Sequence, residues 1–196
     1  MGVKLVSSGG GSVEINPPAT ASNFTATMPA GTGTVAVQGA STNIVSGTAV
    51  ASTSGTAIDF TGIPSWVKRI TVMFQGLSTN GSSAIQIQIG AGSITTSGYL
   101  GGADYFNSTP GPTLITSGFA IIDSTAPAIV LHGLATICLL GSNNWVYASQ
   151  GMSSNSPGYA VGAGSLALGG TLDRVRITTV SGTDTFDAGT INIMYE

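Results

Sequence analysis

Few residues in this 196-residue chain could do acid–base, nucleophilic or metal chemistry, and they are scattered. His132 is the only histidine, so a Ser–His–acid triad would have to use it. It sits inside the apolar run Ile129–Leu140, and no Gly-x-Ser-x-Gly elbow accompanies it. His132 is therefore expected as a packed or interface residue, not a catalytic base. Cys138 lies in the same run and is the only cysteine, which excludes an internal disulfide and any multi-cysteine metal site. It is expected as a buried thiol that behaves as a small hydrophobe.

The acids are Glu14, Asp59, Asp104, Asp123, Asp173, Asp184, Asp187 and Glu196. Their closest grouping is Asp184-Thr185-Phe186-Asp187. A calcium ion near Asp184 and Asp187 would need an Asp-x-Asp-x-Asp-Gly type of loop, which this spacing does not match. The expected role is a turn between the last two strands, with Asp side chains accepting backbone N–H bonds. A polysaccharide-cleaving carboxylate pair would also need aromatic and polar substrate contacts around it. Tyr99, Tyr105, Phe106, Trp145, Tyr147 and Tyr159 could line a sugar-binding surface, but on strands they are expected as core or subunit-interface anchors. Gly31-Thr32-Gly33 and Gly162-Ala163-Gly164 lack the Gly-Lys-Ser/Thr ending and the following helix of a phosphate cradle, and read as turns. No catalytic, cofactor-binding or metal-ligating residue is assigned, no cofactor is implied, and an enzyme is not expected.

Charge narrows the partners. Charged residues are only 7% of the chain and the net charge is -3, against about 25% charged residues in ordinary soluble domains. The basic residues are Lys4, Lys68, Arg69, Arg174 and Arg176, too few to form the stripe that neutralises phosphates, so nucleic acid is not an expected partner. No apolar stretch reaches the length of a membrane-spanning helix, and Lys4 is not followed by the apolar core of a secretory signal. Neither a membrane nor a disulfide-forming compartment is therefore implied. A surface this poor in charge stays soluble when partner subunits cover it or when hydroxyls and amides dilute it.

The elements that would position these residues are strands. Hydrophobic content is 42%, and apolar residues alternate with polar ones at period two. Short strands are expected at Val3–Ser7, Ser12–Asn16, Phe24–Met28 and Thr34–Gln38, broken by Gly and Pro. Longer ones follow at Arg69–Gln75, Ala84–Ile89, Tyr99–Phe106, Phe119–Asp123, Ile129–Leu140, Trp145–Ser149, Ser165–Leu168, Asp173–Val180 and Thr190–Tyr195. Asn80-Gly81 is expected to close a hairpin between the first two of these. Ile85, Ile87 and Ile89 then point inward, and Gln86 and Gln88 outward. Ile63-Pro64-Ser65-Trp66 is expected as a turn, with Trp66 over a core edge.

The expected fold class is all-β, in three parts. Residues 1–39 form an N-terminal β docking and trimerisation segment, 40–56 a Ser/Thr/Ala/Gly linker, and 57–196 a jelly-roll-like antiparallel β-sandwich knob. The first part is too short to bury a core alone, which favours intertwining with copies of itself.

Two stretches carry a resemblance. Val3–Val37 contains Gly10-Gly11-Ser12, an alternating strand, Pro17-Pro18 and Met28-Pro29-Ala30-Gly31-Thr32-Gly33-Thr34. It resembles a short module of tailed-bacteriophage fibre and head-decoration proteins. Thr61–Gly90 and Leu172–Glu196 resemble a domain that recurs in phage virion proteins. The resemblance implies a homotrimer at the surface of a virion, made in the bacterial host cytoplasm, with an interwoven N-terminal part and clustered knobs. Its implied role is capsid decoration or cement, as a head knob or head fibre bound to the major capsid protein. The alternative is a short tail fibre or receptor-binding tip that contacts tail proteins and a host surface receptor.

Overall fold

A computed structural model of the chain describes residues 3–6, 8–15, 44–106, 111–123, 126–127 and 129–196. They belong to two compact units, 1–36 and 37–196. In the first unit, β1 (Val3–Val6) and β2 (Ser12–Ile15) pair antiparallel with Val3 opposite Ile15. Gly10 between them has φ of 84°, a backbone region that only glycine enters freely. The strands expected at Phe24–Met28 and Thr34–Gln38, and the turn at Gly31-Thr32-Gly33, lie outside the described residues.

The second unit begins with β3 (Val45–Ser46), β4 (Val50–Ala51), β5 (Ala57–Thr61) and β6 (Arg69–Thr79). Next come β7 (Ile85–Ala91), β8 (Ser93–Ile94), β9 (Leu100–Phe106), β10 (Thr113–Leu114) and β11 (Phe119–Ile122). The last five are β12 (Leu131–Gly141), β13 (Asn144–Ser153), β14 (Tyr159–Ala167), β15 (Arg174–Thr179) and β16 (Phe186–Tyr195). Every strand pair is antiparallel, and the described residues contain no helix. The large sheet runs β10-β9-β14-β13-β12-β6-β16-β3, with β4 also on β16. The small sheet runs β11-β7-β15-β5, with β8 on β7.

One apolar core lies between the sheets, giving a β-sandwich-like unit. Ile70, Val72 and Phe74 of β6 and Ile137 of β12 meet Ile85, Ile87 and Ile89 of β7 and Val175 and Ile177 of β15 in a single buried cluster. These are the inward positions of alternating strands. Burying each such side chain contributes about 1.5–3 kcal/mol relative to leaving it in water. Tyr99 adds an edge-on contact with Phe119 at 4.8 Å. Its hydroxyl accepts the Ile89 N–H at 2.8 Å and donates to the Thr95 carbonyl at 3.0 Å. Burial pushes that phenol up to about 12. The turn expected at Ile63–Trp66 falls one residue later, at Pro64–Val67, with Val67 N–H donating to the Pro64 carbonyl at 3.1 Å, and Trp66 lies 5.9 Å from the Tyr195 ring.

Four expectations need correction. Asn80-Gly81 does not close a hairpin: β6 belongs to the large sheet and β7 to the small one. Both strands bury a full apolar face, so the chain crosses the core at this turn and each strand pairs elsewhere. The turn is pinned from outside, where the Asp184 carboxylate accepts the Ser83 N–H at 2.9 Å and the Asn80 side chain accepts the Thr185 N–H at 2.9 Å. Asp184 therefore does accept a backbone N–H, but from a turn 101 residues away.

Gly162-Ala163-Gly164 is not a turn but the middle of β14. A Cβ on Gly162 would stand 2.2 Å from the Ala120 carbonyl of the opposite sheet, and one on Gly164 would stand 2.6 Å from the Leu100 carbonyl. Glycine is needed here for close backbone approach, a use that its turn propensity hides. Gln86 and Gln88 face outward but are buried, because the segment before β11 folds over them. Ser117 Oγ donates to Gln86 Oε1 at 2.8 Å, and Gln88 Nε2 donates to the Ser117 carbonyl at 2.9 Å. From residue 44 onward the expected linker is built into the sandwich, since β3 and β4 pair with β16.

Candidate functional site

Titratable side chains are spread apart by the fold. Asp59 on β5 stands opposite Arg176 on β15. The two form a bidentate pair, with both N···O distances 2.7 Å. Arg174 binds Asp173 at 2.7 and 3.1 Å, and Arg69 pairs with Glu196. The hydrogen bond from Arg176 holds the Asp59 carboxyl below its ordinary value, and that from Arg174 does the same for Asp173. Asp104 is buried, with its carboxylate accepting the Gly111 N–H at 3.2 Å. Asp184 serves the turn already described, and Asp187 is exposed. Among the described residues no group of three or more His, Cys, Asp or Glu is placed to hold a metal ion.

His132 is packed into a bulge. Its Nδ1 accepts the Gly76 N–H at 3.3 Å, and its Nε2 lies 3.1 Å from Ser154 Oγ. With Nδ1 accepting, Nε2 is the ring nitrogen left to donate to Ser154. Register shifts on both sides of β6 fall beside Gly76, and the histidine satisfies the N–H that the shift frees. Cys138 corrects the expectation of a buried thiol: it points away from the core on β12, beside Val146, and is partly exposed.

The aromatics divide by depth. Tyr99, Tyr105, Trp145 and Tyr147 are core residues, and burial pushes the Tyr147 phenol up. Phe106 and Tyr159 stack at 4.8 Å with planes 14° apart. Tyr159 is half-exposed at 50%.

That pair belongs to the feature with most functional content, the outer face of the large sheet. Registers across β9, β14, β13 and β12 place its side chains in rows. One row crosses Leu100, Ser165, Val146 and Cys138; another crosses Phe106, Tyr159, Met152 and His132. Between them run two further rows, one of small residues, Gly102, Ala163, Ala148 and Thr136, and one of Asp104, Val161, Gln150 and Leu134. Leu100 is 69% exposed, Leu114 83%, Leu140 76% and Met152 61%. Shallow depressions of about 510 and 460 Å³ share Val161 as a wall. The first lies among Phe106, Leu114 and Ala163 above Asp104; the second lies among Leu134, Gln150, Met152 and Tyr159. β12, β13 and β14 contain no Asp, Glu, Lys or Arg at all.

Such a face is unusual, because the outward positions of a sandwich are normally polar. Contiguous exposed apolar patches of more than a few hundred Å² mark interaction surfaces. Alternation alone does not reveal it, but one signal was present. Leu131–Leu140 is nearly continuous in apolar residues, a pattern of strands covered on both faces. Compared with known proteins, the chain matches no family model, no curated protein and no solved structure.

Proposed function

We propose that this chain is a non-enzymatic structural protein of a bacteriophage particle, a homotrimeric capsid decoration or cement protein that binds the major capsid protein and stabilises the shell. The observation that carries the reading is the charge-free apolar face over β12, β13 and β14, which in water calls for a protein cover. The dispersal of the titratable groups into ion pairs and turn contacts favours a structural role over catalysis. The resemblance of Val3–Val37, Thr61–Gly90 and Leu172–Glu196 to phage virion proteins points the same way. In this reading residues 1–39 intertwine and dock, and residues 57–196 form a jelly-roll-like knob. In favour of that class, the chain switches sheets at each step through β5, β6, β7, β9, β11 and β12, and the last two strands pair with the first two long ones.

The mechanism is mass action: a ligand that binds only the assembled shell stabilises it, and three tethered contacts engage with avidity. A second reading, a short tail fibre that meets a host receptor, is favoured by the stacked Phe106 and Tyr159 beside a surface depression, since exposed aromatic faces suit ligand recognition. Immunogold labelling of particles distinguishes the two. Gold on the head supports decoration, gold at the tail tip supports attachment, and unlabelled particles overturn both.

A further inference from the structure

We propose that Asp104 and the depression around it on the large sheet form a receptor for one basic side chain, an arginine presented by the protein that this chain binds. The inference rests on the shell-binding reading above and names what the bound protein must bring.

The local sequence makes the depression. Outward positions of β9 run Gly102, Asp104 and Phe106, and register sets Gly102 against Leu114 of β10 and Ala163 of β14. A Cβ on Gly102 would collide with the Thr113 carbonyl, so the close approach of β10 demands glycine there. Gly102 and Ala163 therefore leave a floor without bulk, while Phe106, Pro112, Leu114 and Val161 stand around it. The space of about 510 Å³ lies within the range of ordinary ligand sites. Asp104 is the one charged residue that lines it.

Asp104 is 5% exposed and is the one charged side chain among the buried residues described. Buried charges are normally paired, yet Asp104 makes no ion pair among the described residues. Its two oxygens share the single Gly111 N–H at 3.3 and 3.2 Å, which uses a small part of the acceptor capacity of a carboxylate. The cations of the second unit are placed elsewhere. Arg69, Arg174 and Arg176 hold Glu196, Asp173 and Asp59. Lys68 stands before β6, with β12, β13 and β14 between that strand and β9.

Chemistry selects the occupant. A sugar needs several polar groups around its hydroxyls, whereas the side chains lining this floor, Asp104 and Thr113 apart, offer none. A purely apolar segment would cover the carboxylate and leave it without a counter-charge. A basic side chain answers both halves of the site: its apolar stem lies along Phe106, Leu114 and Val161, and its head reaches Asp104. Arginine fits better than lysine, because its planar fork engages both carboxylate oxygens and its charge is weakly hydrated.

Titration of the full chain with blocked arginine (its N-acetyl methylamide), followed by nuclear magnetic resonance, tests the site. Blocked citrulline, which has the same shape without the charge, is the control. The expected result is saturable shifts of the Asp104, Phe106, Val161 and Ala163 amide signals with arginine. Binding should be at least about 10-fold weaker for citrulline, for Asp104→Asn and for Ala163→Leu. Ala163→Leu fills the floor from an exposed position and keeps the carboxylate, so it tests the site even where Asp104→Asn disturbs the fold. No saturable shift with arginine, or equal binding of citrulline, overturns the inference, and equal binding of blocked lysine overturns the choice of arginine. Co-sedimentation with phage shells separates this inference from the reading it rests on. Shell binding lost in both variants is expected. Shells that bind the unmodified chain and both variants alike overturn the arginine receptor and leave shell binding standing; shells that bind none of them overturn shell binding itself.

Discussion

The two sheets share one core but turn opposite kinds of surface outward. On the small sheet, Asp59 and Arg176 face each other across neighbouring strands, Asp173 and Arg174 pair at the start of β15, and Gln86 and Gln88 are roofed by the segment through Ser117. That surface is finished: its polar groups have partners. The large sheet has leucine, valine, methionine and tyrosine at outward positions and no charge over its three middle strands. Alternation with an apolar inward set is thus shared by both sheets, and the outward set distinguishes a polar face from an apolar one.

The largest effect should come from where the sheets meet. Gly162→Ala places a methyl against the Ala120 carbonyl and should cost about 3 kcal/mol as the sheets are pushed apart, read as a fall in the urea midpoint. A variant of undiminished stability would show that the sheets do not approach so closely. Asp184→Ala comes next. It strips the acceptor from the Ser83 N–H at the crossing between sheets and should cost about 1–3 kcal/mol, with no dependence on added calcium in the unmodified protein.

Tyr99→Phe should cost about 1–2 kcal/mol, because the buried Ile89 N–H loses its acceptor. The same residue sets an alkaline limit. With its folded value raised to about 12 from an ordinary value near 10, Tyr99 contributes stability that is whole below about pH 10 and is lost as pH rises toward 12. Tyr99→Phe should blunt that loss, as alkaline titration of the near-ultraviolet signal would show.

The smallest effect belongs to the finished face. Arg176→Ala should cost at most about 1 kcal/mol, since the pair is largely exposed, and the loss should shrink in salt. Asp59 and Asp173 are both held below their ordinary values. Their contribution is therefore present above about pH 4, where the unfolded carboxylates are ionised, and fades as pH falls through the lower folded values. Arg176→Ala should flatten the acid limb of the stability curve; an unchanged limb would deny Asp59 that role.

Much of the core was legible because period-two alternation is a local property. Ile70, Val72 and Phe74, Ile87 and Ile89, and Ile191 and Ile193 are inward in the sequence pattern and in the structure. The site was less legible. Leu134, Val146, Met152 and Tyr159 look like ordinary members of their strands, and only register across neighbouring strands brings them onto one face. The reversal at Asn80-Gly81 reads the same whether the chain folds back within one sheet or crosses to another.

The sequence alone determined that the chain is all-β, which residues of most long strands turn inward, and that charged residues are few, because composition and alternation act residue by residue. The tertiary structure alone decided that β6 and β7 part company, that Gly162 and Gly164 let backbones approach within a strand, and that Leu100, Leu134, Val146, Met152 and Tyr159 gather on one sheet face. Those outcomes depend on which strands become neighbours, and that choice is made by the burial of whole faces against each other.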